Sequence, residues 1–261
     1  MCDYEQSGLW KNAFSHFNDR LDKQRDTLAH AYRDFRGRVD FLLQQIQKEL
    51  PSLTLHDITH VDSLWRIASE IAGQDYPLNP AETFALGGAF LLHDAAHCRA
   101  AFSGGLDELR KTIEWCDAVA QLRYDPDQLV EGSEAFQSVL FDTLRKLHPK
   151  QARRLAFASW PDKSERSVIN LFPHDELREA YGHIIGEIAG SHWLHPHEME
   201  PFSRRIVSTP SYLAPANWPI NMLKINILLR VADAAHIDAK RAPRLLLAMN
   251  NSTFGVGDFL S

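Results

Sequence analysis

The stretch FALGGAFLLHDAAHC, Phe84 to Cys98, decides how this chain is read. Its first nine residues suit only a core, yet the run ends in His93, Asp94 and His97. Apolar spacing predicts a helix over 80–98. On such a helix His93 and His97 share a face, while Asp94 points about 100° away. An ionised carboxylate buried beside imidazoles is costly unless a cation compensates, and a divalent metal is the simplest compensator.

Other segments set metal-competent residues into apolar helices in the same way. Leu55-His56-Asp57-Ile58-Thr59-His60 opens a segment carrying Leu64, Trp65, Ile67, Ala68 and Ile71. Tyr181 to His192 places His183 and His192 on one apolar helix, and Ile227 to Asp238 buries Asp233 near the end of another.

Helical spacing dominates the chain and strand-like alternation is scarce, so the expected class is all-α. Leu9 to Leu50 reads as one amphipathic helix or a helix pair ended by Pro51. Further helices are expected over 60–72, 80–98, 106–122, 127–147, 150–159, 174–192, 218–238 and 241–249. Turn formers mark the breaks at 74–77, 103–105, 124–126 and 160–162. The organisation expected is an N-terminal helical extension over 1–50, one domain over 51–249, and a tail over 250–261 that is either a flexible end or the start of a further region.

With 44% hydrophobic residues in 261, the chain can pack a sizeable core. A formal charge of −6, from 28 basic and 34 acidic residues, argues against broad binding to nucleic acid. A small-molecule partner is expected instead. Cys2, Cys98 and Cys116 form no CxxC pair, which fits a reducing cytoplasm, with Cys98 read as a buried thiol. No apolar run reaches the ~18 residues that span a bilayer.

The blocks LTLHDITHVDSLWRIA, FALGGAFLLHDAAHC and INILLRVADAAHID carry, in order, His60, His93-Asp94 and Asp233. In this the chain resembles the HD-domain superfamily of metal-dependent phosphohydrolases. The resemblance covers about residues 53 to 240 and implies a single helical bundle with an added N-terminal segment. It assigns His60, His93, Asp94 and Asp233 as metal ligands. Two imidazoles and two carboxylates suit manganese, zinc, iron or, less well, magnesium.

His97 extends the motif to His-Asp-Ala-Ala-His, similar to the His-Asp-x-x-His of deoxynucleoside triphosphate triphosphohydrolases in this superfamily. Those enzymes continue with Gly and then Pro-Phe, whereas this chain reads Cys98-Arg99-Ala100-Ala101-Phe102. The resemblance implies cleavage of a phosphoester or phosphoanhydride of a nucleotide or other small phosphorylated molecule. Asp94 joins His97 and His183 as the catalytic set, the two histidines being candidates to protonate the leaving oxygen. His97 also fits a plain helix-surface residue, and His183 and His192 are read either as binding a second metal or phosphate or as ordinary helix residues.

Arg99, Arg230 and His192 are the candidates for holding substrate phosphates, and Arg230 equally fits an interhelical salt bridge. His56 either supports the ligands or merely stands near a helix start. Arg145, Lys146, Lys150, Arg153 and Arg154 flank the Leu147-His148-Pro149 break, as a solvated face or as a site for nucleotide phosphates. A looser resemblance, to HD modules that precede Hsp90-like ATPase domains in bacterial proteins including defence-associated ones, implies instead a nucleotide-sensing regulatory module controlling a fused or partner ATPase domain; separately, a second copy of the chain is a candidate partner.

Overall fold

Asn79 begins the helix that organises the molecule. Its side chain accepts from the Glu82 backbone N–H at 3.0 Å, and the Glu82 carboxylate returns to the Asn79 N–H at 3.2 Å. With Pro80 in the first turn, this reciprocal cap starts α4, Pro80–Leu92. Every residue of α4 is buried, so it has no solvent face and its apolar run is continuous instead of periodic.

The computed structural model describes residues 4–51, 53, 56–126 and 129–236. Around α4 lie α1 (Gly8–Phe14), α2 (Asp22–Glu49), α3 (Ile58–Ala72), α8 (Asp175–Gly190) and α9 (Met222–Ala235). Outside them are α5 (Gly105–Leu109), α6 (Ile113–Gln121) and α7 (Glu134–Leu155), with α7 packed along α8. Gly87 and Gly88 permit the close approach to α4. A Cβ on Gly87 would stand 2.5 Å from the Trp65 ring, and one on Gly88 would stand 2.8 Å from Ile185 on α8.

The all-α class holds, with two small antiparallel hairpins added among the described residues. β1 (Ser159–Asp162) pairs with β2 (Ser167–Asn170), and β3 (Ile206–Val207) with β4 (Ile220–Asn221). No helix among the described residues is long and apolar enough to cross a membrane.

Several boundaries differ from those expected. The first segment is a helix pair, broken where Asn18 takes a φ of 58°. Helix 80–98 stops at Leu92; His93 caps it, and residues 94–98 form a turn held by Ala95 N–H to Leu92 O and His97 N–H to Asp94 O. Segment 106–122 splits because the Thr112 hydroxyl caps a new helix through Trp115 N–H. Segments 127–147 and 150–159 fuse instead into α7, which runs through Pro149 and ends at Leu155. The helix expected over 241–249, the tail 250–261 and Cys2 lie outside the described residues.

Candidate metal centre

Asp57 caps α3 by accepting from the Thr59 and His60 backbone N–H groups, which sets His60 in the first turn with its ring buried. His93 sits at the C-cap of α4, and the turn that follows brings Asp94 and His97 inward. Asp233 comes from the last turn of α9. The sequence thus delivers these residues at helix ends, where the chain changes direction and side chains can converge.

One ligand atom each from His60, His93, Asp94 and Asp233 lies within 4.8 Å of the others. The Asp94 carboxylate is the hub. Its Oδ2 stands 3.1 Å from His93 Nε2, 3.3 Å from His56 Nε2 and 3.8 Å from His60 Nε2. Its Oδ1 faces a second set: His97 Nε2 at 3.6 Å, His192 Nε2 at 3.7 Å and His148 Nε2 at 3.8 Å. Asp94, His97 and His148 form a second group with ligand atoms within 4.8 Å. Asp233 Oδ1 completes the first set, 3.7 Å from His93 and 3.8 Å from His60.

The rings are aimed by their outer nitrogens. His93 Nδ1 donates to Phe90 O at 2.9 Å, His148 Nδ1 to Arg145 O and His192 Nδ1 to Ala189 O, both at 2.6 Å. A carbonyl only accepts, so each Nδ1 carries a proton and each ring turns its Nε2 inward, as a lone pair wherever the ring is neutral. Pro149 explains one of these contacts. Lacking an N–H, it leaves the Arg145 carbonyl without its helical donor, and the His148 ring supplies one. His60 is held differently, its Nδ1 lying 2.6 Å from His236 Nδ1 with the rings stacked.

The inward nitrogens lie close together. His148 and His192 Nε2 are 3.0 Å apart, and those of His60 and His93 are 3.3 Å apart. The neutral His148 and His192 rings face one another with lone pairs that repel at this distance, and a shared cation would relieve them. The donor set therefore fits a divalent metal: imidazole nitrogens and carboxylate oxygens, buried and oriented by carbonyls.

The electrostatics of the two sets differ. Burial opposes charge on His93, but Asp94 and Asp233 outweigh it and raise its pKa to about 10. Burial would raise the Asp94 carboxyl, yet the adjoining His93 and His56, with hydrogen bonds from His93 and His97, hold it well below the usual carboxylate range. Burial, with His97 and His192 alongside, presses His148 down to about 2, and burial likewise lowers His192. The Oδ2 side is thus rich in negative charge, while His148 and His192 stay neutral, the form that ligates.

His97 stacks on His148 with ring centroids 3.9 Å apart, and its buried Nδ1 has no hydrogen-bond partner among the described residues. His192 joins the cluster from the 3-10 turn Ser191–Trp193 that follows α8. His183 does not. It is exposed on the outer face of α8, its ring against Phe157, because the buried face of that helix is Leu177, Tyr181, Ile184, Ile185 and Ile188.

Arg99 is engaged by acids, its guanidinium 3.3 Å from Glu49 and 3.1 Å from Glu131. Arg230 donates to Ser191 O at 2.5 Å and so braces the turn that carries His192. Sequence reasoning assigned His148 and His236 no role at the site. For His148 the available signal was a His-Pro pair inside an amphipathic helix. For His236 it was a second histidine three residues after Asp233, on the same helical face.

No curated protein and no solved structure gives a significant match to the chain. The model of the family HD-CE matches residues 50–253, a span that contains the whole cluster around Asp94. That match takes in more than half of the sequence, and the chain belongs to the HD-CE family of HD-type domains.

Proposed function

We propose that the chain is a metal-dependent phosphohydrolase that cleaves a phosphoester or phosphoanhydride of a nucleotide or similar small phosphorylated molecule. The observation that carries this reading is the Asp94 carboxylate, whose two oxygens face two sets of inward imidazole nitrogens. His60, His93, Asp94 and Asp233 would hold one ion, and Asp94 with His148 and His192 offers ligands for a second. Held by these residues, a divalent ion would lower the pKa of a bound water towards ~7 and offset negative charge on phosphorus.

The chain's own residues supply the rest. His93, His148 and His192 keep Nε2 fixed through their Nδ1 contacts with backbone carbonyls. Burial of the rings keeps bulk water away and strengthens every charge interaction inside. His97 holds a buried ring nitrogen with no other partner among the described residues, and it is the group we assign to move a proton to the leaving oxygen.

The test is metal content by elemental mass spectrometry, run beside phosphate release from a panel of nucleotides with added manganese, for wild type and Asp94→Ala. Stoichiometric metal and turnover in wild type, both lost in the variant, are expected. Metal without turnover would favour a regulatory module that senses a nucleotide. Absence of metal from wild type would overturn the reading.

A further inference from the structure

Immediately outside the His148 and His192 rings, Trp193 closes the 3-10 turn Ser191–Trp193 with 54% of its surface exposed. Its ring stands edge-on to His148 at 5.1 Å and lies 6.3 Å from His192. Large aromatic rings are normally withdrawn from water, and an indole left half open against a catalytic cluster has apolar area available for a ligand. The Arg145 guanidinium lies 5.8 Å from the indole centroid, over the ring.

Arg153, two turns further along α7, runs beside the same loop. A Cβ on Gly190 would stand 2.8 Å from its Nε, so the arginine side chain lies directly on the end of α8. Two neighbouring lysines are neutralised locally: Lys146 pairs with Asp142 at 2.7 Å, and Lys150 with Glu114 at 3.0 Å. Arg153 is exposed and enters no ion pair among the described residues. An open aromatic ring with Arg145 over it and Arg153 on the adjoining end of α8, against the Oδ1 side of Asp94, matches a ligand that has both a flat π-system and phosphates.

We propose that Trp193, Arg145 and Arg153 form the subsite for the nucleoside end of a nucleotide substrate, with the indole stacking on the base and the arginines taking phosphate oxygens outside the cluster. This rests on the phosphohydrolase reading and narrows its substrate to phosphates that carry an aromatic base.

Equilibrium binding of an imido analogue of ATP and of inorganic tripolyphosphate, both with manganese, separates base from phosphate. Wild type should prefer the nucleotide analogue by about tenfold, the scale of one aromatic–base stack. Trp193→Ala should bring the ratio of the two affinities to about one, Trp193→Phe should restore most of it, and Arg153→Gln should weaken both ligands. Unchanged metal content and melting temperature in Trp193→Phe show that the cluster is intact.

A wild-type ratio near one, or a ratio that survives Trp193→Ala, would overturn the subsite. Binding without turnover separates the two ideas. If the ratio behaves as expected while no phosphate is released, the hydrolase reading fails and the subsite stands. If phosphate is released equally well from base-free and base-carrying substrates, the subsite fails and the hydrolase stands.

Discussion

The two oxygens of Asp94 face imidazoles that are anchored in different ways. On the Oδ2 side, His60 comes from a helix start capped by Asp57 and His93 from the end of the fully buried α4, with His60 steadied by another ring, His236. On the Oδ1 side, His148 stands inside α7 one residue before a proline, and His192 stands in the turn after α8. The first side depends on helix termini that local sequence specifies. The second depends on a deliberate gap in a helix and on how closely α7 and α8 approach.

Removing the shared carboxylate tests both sides at once. In Asp94→Ala, metal content and phosphate release should fall below detection, and retention of one full ion would show that the two sides bind independently. A sharper separation comes from Pro149→Ala. The new N–H would claim the Arg145 carbonyl and release the His148 ring, so turnover should fall by about 10–100-fold, as for loss of a residue that orients a ligand. The same change removes a proline from a helix interior and should stabilise the fold, by up to about 3 kcal/mol. Turnover set beside a denaturant midpoint checks it: a gain in stability without a loss of activity would mean that the proline has no part in aiming His148.

Gly186 tests the helix approach. A Cβ there would fall inside contact distance of the Arg153 carbonyl on α7. Gly186→Ala should therefore cost about 1–3 kcal/mol by overpacking, read as a lower unfolding midpoint, with metal on the Oδ1 side lost before metal on the other. The smallest effect belongs to His183→Ala. Its ring is exposed against Phe157, so stability should move by less than about 0.5 kcal/mol and turnover should stay at the wild-type level.

The contrast between His183 and His192 shows where legibility in the sequence stops. Both sit in one apolar stretch, and periodicity marks that stretch as helical without saying where it ends. α8 stops at Gly190, so His183 stays on a helix face turned to solvent while His192 is carried by the following turn into the cluster. The same limit applies at His93. A helix drawn to residue 98 pairs His93 with His97 on one face, whereas the real end at Leu92 points them at opposite oxygens of Asp94.

The sequence by itself determined the helical class and the buried α4, because apolar period and caps such as Asn79 with Glu82 act over a few residues, while His60, His93, Asp94 and Asp233 were singled out through the family resemblance and are brought together by the fold. Only the tertiary structure decided that His148 and His192 complete the other side of Asp94, that Arg99 is spent on Glu49 and Glu131, and that Arg230 braces the His192 turn. These depend on which faces of α7, α8 and α9 meet. That choice is made by packing between residues far apart in the chain, through close approaches such as those at Gly186 and Gly190, which no local pattern records.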